Sequence, residues 1–313
     1  MKRLRAQWWL YPLLALAMLV FVACSGTDES QDASSSSQGT RTIEHAMGTA
    51  EVPQNPERMV VLDYGALENI LALGVQPVGV PLNSNLDRQP ELIRQRLQGD
   101  PETFRPGQPN LERLLQLEPD LILGSKPWIG QHYERLSQIA PTVVTETNNM
   151  KWQANLKFHG RMLGRSERAQ QLLDEYQQRL VQFRQQRDAG GELEVSVGRI
   201  FPDRVRLYLK DSFSGNILQK AGLKRPTAQD KDTYSQKISK EQFQMLDGDV
   251  MFAIVVGQEA RATLDQFRQD ALWSQLSVVQ SERVYPVPGY WVGSSILAAN
   301  QVVDDLERHL LDG

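Results

Sequence analysis

Short apolar runs alternate with helix-like patterns in the first half of the chain. The predicted strands are 59–62, 78–80, 121–123 and 142–144, and the predicted helices are 66–73 and 111–117. Strands that are apolar throughout and separated by helices are typical of a parallel sheet covered on both faces. The pattern therefore predicts one α/β lobe over residues 41–165.

The same alternation begins again in the second half of the chain. The predicted strands are 194–200, 205–209, 250–256 and 283–285, and the predicted helices are 214–221, 240–246 and 294–311. We therefore predict a second α/β lobe over residues 189–313, again with a mainly parallel central sheet.

A long amphipathic helix is predicted between the two lobes, over residues 166–188 with Ser166 as its N-cap. Its apolar stripe at three- and four-residue spacing consists of Ala169, Leu172, Leu173, Tyr176, Leu180 and Phe183. A helix of this size is about 34 Å long, the width of a small domain. The pattern alone is compatible with a packed helix inside one domain and with a bridge between two lobes.

The N-terminus has the features of an export signal. Three basic residues among the first five precede an uncharged apolar run at 10–23, which is followed by Cys24. This junction resembles the lipobox of bacterial lipoproteins, although Phe21 stands where leucine is usual. The resemblance implies a signal peptide at 1–23, lipidation of Cys24, and a periplasmic or cell-surface location. An uncleaved anchor is the alternative, but the run is shorter than the roughly 20 residues of a membrane span.

Residues 24–40 are predicted to be a flexible tether. The segment is rich in serine, glutamine and aspartate and holds almost no apolar residue, so it cannot bury enough surface to become ordered. It would connect a lipid anchor in the membrane to the folded domain.

Composition and charge exclude several classes of function. The chain is 41% hydrophobic and 23% charged, as in soluble globular proteins, and its net charge of −4 argues against nucleic acid as a partner. The sole cysteine, Cys24, leaves no internal disulfide and no thiolate nucleophile or metal site in the mature domain.

Motifs of enzymes and of direct metal sites are missing from the sequence. It contains no P-loop, no G-x-S-x-G elbow and no H-E-x-x-H pair, so we expect no enzyme activity. The four histidines, His45, His132, His159 and His309, are scattered without paired spacing, which argues against direct metal binding.

A series of sequence blocks carries a family resemblance over nearly all of residues 41–313. The blocks are NPERMVVL at 55–62, ALGVQPVGV at 72–80, PNLE at 109–112, EPDLIL at 118–123, IAPTV at 139–143, DSFSGNIL at 211–218 and ISKE at 238–241. Their order and spacing resemble the ferric siderophore, haem and cobalamin binding proteins of ABC importers. The resemblance implies the class III periplasmic binding protein fold, with two α/β lobes, one rigid bridging helix and an interlobe ligand cleft.

The same resemblance implies a function and its partners. We expect a monomer that captures a ferric siderophore and delivers it to an ABC permease of the inner membrane. Because the ligand brings its iron already coordinated, the protein needs no metal ligands and no cofactor. Cobalamin or haem binding within the same family and a surface lipoprotein without a ligand are the alternatives.

Candidate ligand-binding residues are cations and aromatics, several of them near predicted strand ends, where α/β sheets bind ligands. Arg105 and Arg199 are candidates because members of the resembled family carry an arginine in those regions, and Tyr290 and Trp291 because they lie in the loop before the last predicted helix. Anionic chelates favour arginine and lysine, and aromatic faces add contact area. The candidates are Arg105, Lys126 and Trp128 in the first lobe and Arg199, Arg204, Tyr208, Tyr290 and Trp291 in the second. For each of them, the alternative is a solvated charge or a packed aromatic side chain.

Two glutamates are candidates for docking to the permease. In the resembled family one glutamate on each lobe meets permease arginines, and Glu112 of PNLE and Glu241 of ISKE match those positions. The alternative is a carboxylate in the first turn of a helix, stabilised there by the helix dipole.

Overall fold

A computed structural model describes residues 39–82, 90–147, 151–187 and 191–311. The predicted signal peptide, Cys24 and nearly all of the predicted tether lie outside these residues. Within the described residues, no helix is both long and apolar enough to cross a membrane.

An antiparallel hairpin opens the described chain. It is formed by β1 (Thr40–His45) and β2 (Gly48–Pro53), and the backbone N–H of Ala46 donates to the carbonyl of Val144 at 2.9 Å. The hairpin therefore packs beside the sheet of the first lobe. The apolar pattern did not predict it, because these strands are polar and only partly buried.

The first lobe is built on a five-stranded parallel sheet in the order β5-β4-β3-β6-β7. Its strands are β3 (Met59–Val61), β4 (Gly79–Val80), β5 (Glu102–Thr103), β6 (Leu121–Ser125) and β7 (Thr142–Thr145). Its helices are α1 (Tyr64–Ala72), α2 (Pro90–Arg94), α3 (Leu111–Gln116), α4 (Lys126–Ile129), α5 (Tyr133–Ser137) and α6 (Trp152–Met162), with a 3₁₀ turn at Gly130–His132. The four strands and two helices predicted for this lobe are confirmed.

The long helix is α7, which spans Ser166–Arg187. The apolar stripe predicted for it is buried without exception. Ser166 is the first residue of the helix, whereas we predicted it to be the N-cap.

The second lobe repeats the strand order of the first, as β10-β9-β8-β11-β12. Its strands are β8 (Val195–Ile200), β9 (Val205–Tyr208), β10 (Ser235–Ile238), β11 (Val250–Ile254) and β12 (Val284–Val287). Its helices are α8 (Phe213–Lys220), α9 (Gly257–Phe267), α10 (Ala271–Ser274), α11 (Ser277–Gln280) and α12 (Ile296–Leu310), with 3₁₀ segments at Lys240–Leu246 and Gly289–Val292.

Two features of this lobe differ from the expectation. β9 runs antiparallel to both of its neighbours, so this sheet is mixed. The helix predicted at 240–246 is a 3₁₀ segment, in which Ser239 and Gln242 form a capping box.

One apolar core connects both lobes through α7 and α12. Trp152 of α6 packs edge-on against Tyr176 of α7 and Phe213 of α8, at ring separations of 5.3 and 6.0 Å. A buried hydrogen bond between Ser295, the N-cap of α12, and Glu68 of α1 adds a polar contact between the lobes. The two lobes therefore share packing well beyond the bridging helix.

Candidate functional site

Three arginines of the second lobe surround one aromatic ring. The guanidinium carbons of Arg199, Arg204 and Arg206 lie 4.6, 4.5 and 5.5 Å from the centre of the Phe201 ring. Distances under about 6 Å are typical of cation–π contacts. We call Arg199, Arg204 and Arg206 the arginine cluster.

Strand pairing explains why these arginines converge. A tight turn joins β8 to β9, with the N–H of Phe201 donating to the carbonyl of Arg204 at 2.9 Å. Arg199 pairs with Arg206 across the β8–β9 ladder, and Arg206 pairs with Lys237 across the β9–β10 ladder. Directly paired residues project from the same face of a sheet. The pairing of β8, β9 and β10 therefore places Arg199, Arg206 and Lys237 in a row across three strands.

The arginine cluster carries more positive charge than its surroundings neutralise. Arg204 donates to both carboxylate oxygens of Asp203 at 2.7 Å, and that hydrogen bond lowers the pKa of Asp203. Among the described residues, neither Arg199 nor Arg206 forms an ion pair. The Nε atoms of Arg199 and Arg204 are buried and have no hydrogen-bond partner within the part of the chain that the structure describes. Donors left without acceptors are costly, and an oxyanion would satisfy guanidinium groups well.

The first-lobe candidates cluster around α4. Trp128 is half-buried beside the Arg105–Gln108 turn, and a Cβ on Gly107 would lie 3.0 Å from its ring. Gly107 has a φ of +69°, so glycine suits this turn both in conformation and in the space left by the indole.

Both first-lobe cations are exposed. Arg105 donates to the side chain of Gln108 at 3.4 Å, and Lys126 forms an ion pair with Glu146 at 3.2 Å. The structure thus brings the Arg105 turn next to Trp128, with Lys126 at the start of the same short helix.

Two of the predicted aromatic residues lie inside the second lobe. Tyr208 is 2% exposed, and Trp291 is fully buried and stacks on Phe252 at 4.3 Å. Neither side chain presents a surface to a solute, so both fit the alternative of a packed aromatic. We leave them out of the proposed site.

Tyr290 is held by the same buried acid as Trp291. The Tyr290 hydroxyl and Trp291 Nε1 donate to Asp305 Oδ2 at 2.7 and 2.8 Å, and Arg308 donates to Asp305 Oδ1 at 2.9 Å. Burial, reinforced by Asp305, raises the pKa of Tyr290. These bonds fix the Gly289–Val292 segment onto α12.

The two docking candidates occupy equivalent positions in the two lobes. α3 connects β5 to β6, and the Lys240–Leu246 segment connects β10 to β11. In each sheet these are the first and fourth strands in spatial order. Glu112 and Glu241 are both exposed and both stand two residues after the N-cap, which is Asn110 or Ser239. The Ser239 hydroxyl donates to Glu241 at 2.5 Å and lowers the pKa of that glutamate.

Sequence reasoning missed Arg206 and Lys237. The period of two in a strand places Arg206 on the same face as Arg204, and this spacing was readable from the sequence. The pairing of β9 with β10 was not readable, because β10 is short and polar. Among the described residues, no group of three or more His, Cys, Asp or Glu side chains is arranged to hold a metal ion.

Comparisons with known proteins agree with this architecture. The family described as "Periplasmic binding protein" matches residues 59–290. "Probable siderophore-binding lipoprotein YfiY" of Bacillus subtilis (strain 168) is 31% identical over 95% of each chain. "Achromobactin-binding periplasmic protein" of Dickeya dadantii (strain 3937) is 31% identical over 81% of this chain and 86% of its own.

A solved structure extends the similarity to the fold. The crystal structure of Staphylococcus aureus SirA complexed with staphyloferrin B superimposes with a TM-score of 0.74 at 29% identity. The match covers 87% of this chain and 98% of SirA. The family match spans well over half of the chain, so this protein belongs to the periplasmic binding protein family.

Proposed function

We propose that this protein is the substrate-binding component of an ABC importer and that it captures an anionic ferric siderophore. The arginine cluster is the observation that carries this proposal. Three guanidinium groups surround one ring, and Asp203 is their single ion-pair partner among the described residues. This excess of positive charge suits a ligand that bears several oxyanions. The names of the relatives, which specify a siderophore, achromobactin and staphyloferrin B, support the same substrate class.

The proposed site combines the arginine cluster with Lys237 and with the first-lobe group of Arg105, Lys126 and Trp128. Both groups follow or flank strand ends, where ligands of α/β sheets bind. Arginine offers paired donors to carboxylate or catecholate oxygens, and the Trp128 face offers apolar contact with little side-chain entropy to lose. The iron remains coordinated by the siderophore.

The compartment follows from the N-terminal sequence. We propose that residues 1–23 are a signal peptide, that Cys24 is lipidated, and that residues 24–40 tether the domain to the membrane. The name of the lipoprotein relative from Bacillus subtilis supports this assignment.

Glu112 and Glu241 are proposed to dock on the permease. Their exposure and their equivalent positions in the two lobes suit a two-point contact, whose charges would orient the complex more than they tighten it.

A tryptophan-fluorescence titration of the protein lacking residues 1–24 tests the substrate class. The panel contains ferric citrate, a ferric hydroxamate, a ferric catecholate, haem and cobalamin, with metal-free forms as controls. We expect saturable quenching by a ferric chelate at or below about 1 μM, a free energy near −8 kcal/mol. Binding of haem or cobalamin alone would overturn the siderophore assignment, and binding of none would favour a surface lipoprotein without a ligand.

A further inference from the structure

Three large apolar side chains are conspicuously exposed among the described residues. They are Leu115, Val181 and Leu272, at 57%, 38% and 44% exposure. Single exposed apolar residues are common and need no explanation. Here, however, Leu115 lies beside Glu112 and Leu272 lies beside the segment that carries Glu241.

We propose that Leu115 and Leu272 are part of the importer-docking surface, so that each lobe presents a carboxylate next to an exposed leucine. This inference rests on the docking role proposed above for Glu112 and Glu241. The partner it fits has two equivalent sites, each with a cationic side chain beside an apolar surface.

In the first lobe the pair is built within one helix. Glu112 and Leu115 are three residues apart on α3 and therefore share a face, whereas Leu114 is fully buried beneath them. The neighbouring Arg113 forms an ion pair with Glu102. The positive charge of Arg113 is thus engaged elsewhere, and Glu112 remains available to a partner.

In the second lobe two elements build the pair. Asp270 caps α10 by accepting from the N–H of Leu272 at 2.9 Å, and its other carboxylate oxygen pairs with Lys240 at 3.5 Å. Lys240 directly precedes Glu241, and its ammonium also lies 5.5 Å from the Phe267 ring. The ion pair between Lys240 and Asp270 therefore holds Leu272 close to the Lys240–Leu246 segment, which carries Glu241.

The two lobes place the same pair of side chains, a carboxylate and an exposed leucine, on different elements. The two glutamates lie on equivalent connections of sheets with the same strand order, yet Leu115 and Leu272 come from non-equivalent elements. An exposed ion pair alone is weak and is screened by salt. An adjacent apolar contact excludes water and adds affinity that salt does not screen.

Site-specific photocrosslinking in the native host tests the surface without knowledge of the ligand. Benzoylphenylalanine replaces Leu115, Leu272 or, as a control, Val181 of α7 in the full-length chain. We expect adducts with the transmembrane subunit of an ABC importer, identified by mass spectrometry, from positions 115 and 272 but not from 181. Absence of that adduct from both leucine positions, or an equal yield from position 181, would overturn the proposal.

A second measurement separates this surface from ligand capture. The double variant Leu115→Ser with Leu272→Ser should lower iron uptake about tenfold or more, the value of burying a leucine side chain, with unchanged chelate affinity. The control variant Val181→Ser should leave uptake unchanged. Equal uptake by the double leucine variant and by this control would contradict the proposal. Importer adducts from a chain that binds no ferric chelate would refute the substrate assignment and leave the docking surface standing.

Discussion

At the scale of single residues, the arginine cluster shows how local geometry creates a candidate binding surface. Arg199 and Arg204 stood out in the sequence because they flank a strand end, but the row that includes Arg206 appears only when β8, β9 and β10 are paired. Like charges held together are unfavourable in the free protein and become favourable once an anion neutralises them. The cluster is therefore better explained by a ligand than by stability.

Removal of one guanidinium should weaken binding without unfolding the protein. We expect Arg206→Ala to lower affinity for an anionic ferric chelate at least about tenfold, because a hydrogen bond to a charged group is worth about 1.5–3 kcal/mol. Arg199→Ala should behave alike, and Arg268→Ala, which removes an exposed arginine of the same lobe, should not. Unchanged affinity in both Arg206→Ala and Arg199→Ala, measured by fluorescence titration, would exclude the cluster from the site.

His159 predicts a dependence of stability on pH. It is buried on α6 with Nδ1 3.4 Å from the Asn69 amide, and burial lowers its pKa to about 4 from an ordinary value of 6.5. The unfolded chain therefore takes up the proton first as the pH falls. Stability should decline from about pH 6.5 and level off near pH 4, with a total loss of about 3 kcal/mol from this residue.

Denaturant unfolding of the wild type and of His159→Gln over this pH range measures that loss. Glutamine keeps a polar partner for Asn69 but does not titrate, so the variant should show a shallower slope. Some slope will remain, because burial also lowers the pKa values of His45 and His309. Identical slopes for both proteins would show that His159 is not the group responsible.

At the scale of elements, continuous apolar runs were the reliable signal. The central strands β3, β6, β8 and β11 are buried almost without exception, and the apolar runs in their sequences predict them directly. The β1–β2 hairpin and β10 are polar, partly exposed strands that depend on tertiary pairing, and their sequences give little sign of them.

Two tryptophans should give opposite results on substitution. Trp291 anchors the Gly289–Val292 segment to α12 through Asp305, so Trp291→Phe leaves that buried carboxylate short of a donor and should cost about 2–4 kcal/mol of stability. Trp128→Phe, at a half-buried position of the proposed site, should instead lower chelate affinity with little loss of stability. Thermal unfolding and titration of both variants test this contrast, and reversed phenotypes would exchange the roles of the two residues.

At the scale of the whole molecule, the two-lobe architecture could be predicted from the sequence, but the burial of individual aromatic residues could not. Length, alternation of elements and family motifs were sufficient for two α/β lobes and a bridging helix. The distribution of buried and exposed aromatic residues was not predictable, because Tyr208 at the end of β9 and Trp291 after β12 lie where binding residues also lie. Their burial depends on packing against distant residues such as Phe252 and Asp305.

The docking role of the two glutamates is tested by uptake and binding together. The double variant Glu112→Ala with Glu241→Ala should bind the chelate with unchanged affinity and should fail to support iron uptake by cells. The reason is that both carboxylates are exposed, on α3 and on the Lys240–Leu246 segment, and neither element carries the arginine cluster. Loss of chelate binding in this variant would instead place the glutamates in the ligand site.

The most direct test of the central claim is a titration of the wild-type protein with three ferric chelates at one ionic strength. Ferric citrate and ferric staphyloferrin B present carboxylates, whereas the hydroxamate ferrichrome is uncharged. We predict that at least one of the first two binds at or below about 1 μM. Ferrichrome should bind at least about a hundredfold more weakly, a difference near 2.7 kcal/mol. Equal affinity for all three, or a preference for ferrichrome, would contradict recognition through the arginine cluster.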